Sequence, residues 1–231
     1  MKSRKLLLFT LSIISSVFLS GCGSDDDSSS SNSVTFKGIT YTAVKSSATG
    51  KTWLDKNLGA SQVCTSKTDS ECYGDYYQWG RETDGHEKNT STVITSQVAV
   101  TTNAGSNFLA GSSDWSTIDT NGSTRQANWA KTDGSAICPS GYRVPTVTEL
   151  QDELSSTAPY DDSNFATDLK LALTGYRLYG SGNSYEIAIK GAYWSQTPDS
   201  NLSKVIFFTS EESATSSAER AYGVPVRCIK N

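Results

Sequence analysis

The chain is poor in the residues that most often build catalytic centres. Its 231 residues include one histidine, one methionine and five cysteines. A serine–histidine or cysteine–histidine catalytic device would therefore have to use His86, which lies in a polar, turn-like run at residues 83–87. The sequence also lacks a glycine-rich phosphate loop of the Walker or dinucleotide type. We therefore expect no enzyme, and an enzyme that uses His86 is an alternative hypothesis.

Long apolar runs are also scarce, and the clearest one lies at residues 6–18. It follows Lys2, Arg4 and Lys5, is too short to span a bilayer, and is typical of a signal peptide. Residues 19–22 read LSGC and resemble the bacterial lipobox, in which the cysteine thiol takes the lipid. This pattern predicts removal of residues 1–21 and lipidation of Cys22. The alternative is an ordinary secretory signal with a chance cysteine.

Residues 22–33 contain almost no apolar surface. After Cys22 they consist of glycine, serine, aspartate and asparagine, which predicts a disordered, flexible tether ahead of a domain at residues 34–231. Gly23, in place of the aspartate that resembles an inner-membrane retention signal, favours the outer membrane. The acidic run at residues 25–27 resembles a surface-export signal, although a solvated spacer explains it equally well. Both faces of the membrane stay open.

Positive charge is neither abundant nor clustered. The formal net charge is −4, and loss of the three basic residues in the signal makes it −7. Lysines and arginines do not gather beside aromatic residues, so we expect no nucleic-acid partner. The membrane is the expected partner of the lipid at Cys22.

Four cysteines follow Cys22, and in an exported chain an even number indicates disulfides. The short spacing and the turn at residues 65–70 favour a Cys64–Cys72 pair, which leaves Cys138 with Cys228. A zinc site of four thiolates is the alternative, but these spacings do not match those of typical zinc sites. We expect two disulfides and no zinc.

Short strand-like runs alternate with turns along most of the domain. Residues 34–37 and 40–44 predict a hairpin, residues 51–57 a further strand, and residues 88–128 a long loop region that holds short elements. Thr146 and Glu149 have the spacing of a capping box and predict a helix over residues 146–154. Later strands are predicted at residues 171–178, 186–189, 191–194, 205–208 and 224–229. The predicted class is α+β, rich in strands and loops with few short helices.

Five segments of the chain, in order, resemble the Fibrobacter succinogenes major paralogous domain family. They are residues 53–58 (WLDKNL), 72–81 (CYGDYYQWGR), 138–145 (CPSGYRVP), 191–195 (GAYWS) and 226–228 (VRC). The resemblance covers residues 35–230 and implies a C-type-lectin-like architecture in an exported or surface protein. Formylglycine-generating enzymes share this architecture but use a pair of free cysteines, and we expect all cysteines after Cys22 to be paired here.

The lectin-like resemblance predicts adhesion, or recognition of a glycan or surface protein. A structural envelope protein without a discrete ligand is the alternative. Aromatic candidates for ligand binding are Tyr76, Tyr77 and Trp79, although packing in the core is the favoured interpretation.

No cofactor is expected, but calcium is a candidate ion. Asp161, Asp162 and Asn164 offer the oxygen atoms that this ion prefers, as do Asp119 and Asn121. Short runs of aspartate and asparagine are more often turns, and neither calcium-binding triplet of the sugar-binding C-type lectins is intact.

Overall fold

The computed structural model describes residues 32–155 and 168–231. Strands predominate in these residues, together with two short α-helices, and the strand-rich α+β class is confirmed. No helix of this part of the chain is long and apolar enough to cross a membrane. The predicted lipidation site Cys22 and the candidate calcium ligands Asp161, Asp162 and Asn164 lie outside the described residues.

The elements are numbered in chain order. The helices are α1 (Ser123–Trp129) and α2 (Val147–Ser155), and a single 3₁₀ turn covers Ser70–Cys72. The strands are β1 (Ser33–Phe36), β2 (Ile39–Lys45), β3 (Thr52–Leu54), β4 (Tyr77–Gln78), β5 (Val93–Thr95), β6 (Phe108–Ala110), β7 (Tyr142–Arg143), β8 (Tyr176–Arg177), β9 (Ser184–Tyr185), β10 (Gly191–Asp199), β11 (Leu202–Phe208), β12 (Ser213–Ala218), β13 (Gly223–Val224) and β14 (Ile229–Lys230).

One sheet joins the first and the last strand of the domain, in the order β1-β2-β3-β14-β7. The predicted hairpin is confirmed: β1 and β2 are antiparallel and are joined through Lys37 and Gly38, both with positive φ. At the other end of the sequence, Ile229 of β14 lies opposite both Trp53 and Arg143. The last strand is therefore bonded along both edges.

The described residues contain three further sheets. They are the antiparallel sheet β10-β11-β12, the sheet β4-β13-β8-β9, and the parallel pair β5-β6. The first six residues of β10 are all buried. Helices α1 and α2 both contact this strand, which explains why its buried residues form a continuous run instead of alternating.

The capping box predicted for α2 is present. The Thr146 backbone N–H donates to Glu149 Oε2 at 2.8 Å, and the Glu149 backbone N–H donates to Thr146 Oγ1 at 3.3 Å. Leu150 and Leu154 are buried on one face of the helix. Local sequence therefore fixes both the start of α2 and the face that it buries.

All five tryptophans are fully buried, and arginines stack on two of them. The guanidinium groups of Arg125 and Arg220 lie over the Trp79 ring, 5.6 and 4.9 Å from its centroid. Arg125 also lies 5.1 Å from the centroid of Trp115, and its two terminal nitrogens donate to Asp114 at 2.6 and 2.8 Å. The buried charges are thus paired, as burial requires.

Several segments differ from the prediction. Of residues 171–178, predicted as one strand, only 176–177 form a strand, and of residues 224–229 only 224 and 229 lie in strands. Residues 186–189, predicted as a strand, form a turn in which Glu186 and Ala188 have φ values of 53° and 61°, so this prediction is wrong. The Ala188 N–H donates to the Leu173 carbonyl, and this tertiary contact outweighs the preference of Ile187 and Ile189 for a β-strand. Conversely, the serine-rich β12 was not predicted, because it lacks the apolar alternation that marks a strand.

Candidate ligand-binding surface

Both predicted disulfides are present. Cys64 and Cys72 are bonded with a Cα–Cα distance of 5.0 Å, and Cys138 and Cys228 with one of 6.0 Å. The second bond spans 90 residues and attaches the residue before β14 to the turn before β7. It therefore reinforces the sheet that contains both ends of the domain.

The aromatic residues singled out as ligand contacts are buried. Tyr76, Tyr77 and Trp79 expose only 3, 2 and 0% of their surface. Their polar atoms also have partners within the protein: for example, Tyr76 Oη donates to the Thr174 carbonyl and Trp79 Nε1 to the Ser195 carbonyl, each at 2.8 Å. The hypothesis of a ligand platform at these three residues is therefore corrected to a core role, which was the favoured interpretation.

His86 is a buried structural side chain. The Gln78 backbone N–H donates to its Nε2 at 3.0 Å, so this nitrogen is unprotonated, and Nδ1 lies 2.6 Å from Asp84 Oδ1. Burial, together with the positive charge of Arg81, lowers the pKa of His86 to about 4 despite the hydrogen bond with Asp84. The ring is fully buried, and neither nitrogen is left to act on a substrate.

Asp84, His86 and Glu87 place three potential ligand atoms within 4.8 Å of one another. Each of these three residues already makes hydrogen bonds within the protein. Asp84 also accepts from Arg81 at 2.9 Å, and Glu87 Oε2 accepts from the Gly85 backbone N–H at 2.8 Å. The ring nitrogen that faces both carboxylates is Nδ1, 2.6 Å from Asp84 and 3.5 Å from Glu87. Because Nε2 accepts from the Gln78 amide, Nδ1 carries the proton of the neutral ring and has no lone pair for a metal. This cluster organises the loop after β4.

Asp119 and Asn121 organise the start of α1. The Asp119 carboxylate accepts from the backbone N–H groups of Thr124 and Arg125 at 3.0 and 3.1 Å, and Asn121 Oδ1 accepts from that of Ser123 at 3.0 Å. Gly122, which precedes the helix, has no side chain to cap it. The turn interpretation of these residues thus agrees with their contacts.

The larger cavities of the described residues are open grooves. One of about 320 Å³ lies between Lys51, Arg143 and Glu149 and has no aromatic residue in its walls. A small cavity, between the β1–β2 turn and Asp75, holds about 50 Å³, enough for a few water molecules. A wider groove of about 260 Å³ runs beside α1, where Thr101, Thr124 and Lys131 lie among its walls, but no aromatic residue lines it. A surface, and not a deep pocket, is therefore the better candidate for binding.

Five partly exposed aromatic rings form a continuous surface, which we call the tyrosine strip. Its members come from β8, the turn after it, β9, β11 and the turn before β13: Tyr176, Tyr179, Tyr185, Phe207 and Tyr222.

The rings of the tyrosine strip contact one another edge to face. The Tyr222 ring centroid lies 4.9 Å from that of Tyr179 and 5.4 Å from that of Tyr176, with interplanar angles of 79° and 82°. Tyr176 in turn lies 5.7 Å from both Tyr185 and Phe207. These distances and angles are the favourable ones for aromatic pairs, so the rings hold each other in place.

The inner side of the strip rests on the core, and its outer side faces solvent. Tyr176, Phe207 and Tyr222 pack against the main hydrophobic cluster, and Tyr179 against a small cluster around Trp115. Tyr185 is 50% exposed. The strip therefore combines rigid support with accessible ring surface.

Successive side chains of a β-strand point to opposite faces, and this places the rings of the strip and a neighbouring charged residue on different sides of β8. In β8, Tyr176 is partly exposed, whereas the next residue, Arg177, is 1% exposed. The Arg177 guanidinium stacks on Phe108 at 4.0 Å and donates to the carbonyls of Gly182 and Lys88, each at 3.0 Å. This arginine ties the strip to the loop at residues 86–91.

Two carboxylates border the rings. Burial and a hydrogen bond with Glu186 raise the pKa of Tyr176, and burial and the charge of Glu219 raise that of Tyr222. Glu186 also lies 3.0 Å from Lys190 Nζ, which sits 5.5 Å from the Phe207 ring centroid. Negative charge therefore lies beside two of the rings, and the Tyr176 hydroxyl already has Glu186 as its partner.

The sequence did not reveal this surface, because its rings come from four separate segments. Each tyrosine is an isolated aromatic in a short strand or turn, while the dense aromatic run at residues 73–79 is buried. Only one local pattern pointed to an exposed ring: Tyr176 and Arg177 are adjacent in a predicted strand, so their side chains lie on opposite faces.

A surface of packed tyrosines has a defined chemistry. Tyrosine offers an apolar ring with a polar tip and loses little conformational entropy when it binds. Such rings stack on the apolar faces of sugars or on the side chains of a protein partner. No protein-family model matches the chain, and no curated protein or solved structure matches it significantly.

Proposed function

We propose that this chain is a lipid-anchored protein of the cell envelope or cell surface, and that its lectin-like domain binds a glycan through the tyrosine strip. The observation that carries the proposal is the run of contacting, partly exposed rings from Tyr179 through Tyr222 and Tyr176 to Tyr185. Rigid aromatic surfaces with polar tips are well suited to the mixed apolar and hydroxylated faces of sugars.

The architecture supports a C-type-lectin-like domain. In lectin-like folds the two chain ends lie together, and here β1, β2 and β14 belong to one sheet. The disulfide from Cys138 to Cys228 holds the last strand to the turn before β7 and α2. These features agree with the resemblance to the Fibrobacter succinogenes major paralogous domain family.

The anchor belongs to the same proposal. A lipid on Cys22 would hold the domain, whose first strand begins at Ser33, at a membrane through the polar segment that precedes it. Labelling of cells with a palmitate analogue tests this. The wild-type chain takes the label, and Cys22→Ser does not. Equal labelling of both chains, or of neither, contradicts lipidation at Cys22.

Binding is tested with the mature chain on an array of glycans and surface proteins, with calcium and with a chelator. We expect glycan binding that Tyr185→Ala weakens. Binding to a protein alone, weakened by the same variant, would replace the glycan with a protein partner. Absence of any binding would contradict the proposal and favour a structural role in the envelope.

Exposure to added protease then locates the domain. Digestion in intact cells indicates the cell surface, whereas digestion only after the outer membrane is opened indicates the periplasm. Either result agrees with an envelope protein, and the first adds adhesion to its functions.

A further inference from the structure

The charges around the tyrosine strip restrict the class of glycan that it accepts. We infer that the strip selects neutral glycans and rejects those that contain uronic acids or other anionic sugars. The inference rests on the proposed function, since it concerns the ligand of the same surface.

An anionic sugar needs a cation that is free to pair with its carboxylate. Among the described residues, the cations that adjoin the strip by sequence or by contact are Arg177, Lys190 and Arg220. Arg177 and Arg220 are 1 and 0% exposed, and their guanidinium groups stack on the buried rings of Phe108 and Trp79. In β8, alternation leaves the Tyr176 side chain partly exposed and the Arg177 guanidinium inside.

Both arginines also donate several hydrogen bonds inside the protein. Arg177 donates to three backbone carbonyls and to Ser91 Oγ, the last at 2.8 Å. Arg220 donates to the Thr120 and Ser200 carbonyls at 2.8 and 2.7 Å and to Asp114 at 3.4 Å. Neither can turn outward without leaving buried acceptors unpaired.

Lys190, the remaining cation, already has an anionic partner. Its Nζ lies 3.0 Å from Glu186 Oε2, and that carboxylate in turn hydrogen-bonds with Tyr176. A sugar carboxylate that approached Lys190 would meet Glu186 at the same time. The net charge of this pair is zero, and Glu219 beside Tyr222 makes the border of the strip negative.

The segment that borders the strip on another side contains no charged residue from position 89 to position 113. It reaches the strip through the Gly111 N–H, which donates to the Tyr179 carbonyl at 2.8 Å, and through Ser184 Oγ, which lies 3.2 Å from Asn89 Oδ1. Val93 and Ile94 in this segment are exposed. An uncharged, partly apolar border suits an uncharged ligand.

The test compares two β-1,4-linked hexasaccharides, one of glucose and one of glucuronate, by titration calorimetry against the mature chain. An array of neutral and acidic hexasaccharides of other linkages extends the comparison. We expect at least a tenfold preference for the neutral member of a matched pair. Neutral binding should not change between 0.05 and 0.5 M salt, whereas weak acidic binding should strengthen as salt screens the repulsion.

Glu219→Gln removes the carboxylate beside Tyr222 and should narrow the preference for the neutral sugar by several-fold. Glu211→Gln, which removes an exposed carboxylate in the turn between β11 and β12, is the matched control and should not change it. A preference for the acidic sugar, or acidic binding that weakens with salt, overturns the inference but leaves glycan binding intact. Failure of every glycan to bind overturns the proposed function, and the inference with it.

Discussion

The Nδ1 atom of His86 lies 2.6 Å from a carboxylate oxygen of Asp84, while its Nε2 accepts a backbone N–H. The ring is thereby held in one neutral tautomer inside the protein. Burial disfavours the charged ring, and Arg81 adds its repulsion, so the pKa of His86 falls to about 4 despite the hydrogen bond with Asp84.

This histidine should make stability depend on pH in a window that begins well above the ordinary pKa values of aspartate and glutamate. In the unfolded chain the pKa returns to about 6.5, so between pH 6.5 and 4 the unfolded state binds more protons than the folded state. The contribution of neutral His86 to the free energy of unfolding is complete above pH 6.5. As the pH falls through this window, the protein loses on the order of 3 kcal/mol of stability.

Urea unfolding at pH 7, 6, 5 and 4.5 measures the effect. His86→Gln is the control, because its amide can donate to Asp84 and accept from Gln78 without titrating. The wild type should lose more stability than this variant on acidification. Parallel curves for the two chains would contradict the protonation argument.

Removal of one exposed ring should weaken binding without unfolding the domain. Tyr185→Ala deletes a side chain that is 50% exposed and contacts Tyr176, so we expect a loss of about 1 kcal/mol in binding, roughly fivefold in affinity. Its effect on the free energy of unfolding should stay within about 0.5 kcal/mol. Ile118→Ala removes another exposed apolar side chain outside the strip and is the control. Equal affinities of the two variants would exclude Tyr185 from the binding surface.

The two disulfides should differ in their effect on stability. Loop closure is worth about 4.6 kcal/mol for the bond that spans 90 residues, and about 2.6 kcal/mol for the one that spans eight. We therefore expect Cys138→Ala/Cys228→Ala to unfold at a lower urea concentration than Cys64→Ala/Cys72→Ala. The reverse order would show that local strain or residual structure, and not loop length, decides the difference.

Substitution of Arg125, which stacks on two tryptophans, should lower the stability of the domain. In Arg125→Lys the charge remains, but the two-pronged bond to Asp114 and the stacking on Trp79 and Trp115 are lost. Because the site is buried, we expect a loss of about 2–3 kcal/mol in the free energy of unfolding. The same exchange at Arg143, whose two-pronged bond to Glu149 is partly exposed, should cost no more than about 1 kcal/mol. Similar losses at both positions would argue against the importance of burial.

Local patterns in the sequence predicted local structure. The spacing of Thr146 and Glu149 predicted the start of α2, and the glycine between two apolar runs predicted the β1–β2 hairpin. The spacing of Cys64 and Cys72 predicted the short disulfide and left the long one as the remaining pair. In each case the interacting groups are close in the chain or the alternatives are few.

Long-range structure was harder to predict. The strand β12 consists of serine, threonine and alanine, and it forms because β11 offers it a complete edge, which no local pattern reveals. The tyrosine strip depends on contacts such as that between Tyr176 and Tyr222, 46 positions apart in the sequence. The dense run of aromatic residues at 73–79 supplied the candidate ligand contacts instead. These residues are buried, because large apolar side chains gain most from packing in the core.

The position of β1 at the edge of its sheet gives the domain a mechanical property. A pull on the N terminus enters at Ser33, which pairs with Thr42 at the open end of the hairpin. Tension therefore peels the β1 hydrogen bonds one after another towards Gly38, at low force. The strand that follows β3 in the sheet is β14, and the disulfide between Cys228 and Cys138 covalently attaches it to the turn before β7. We therefore expect the β1–β2 hairpin to open before β14 separates from the sheet.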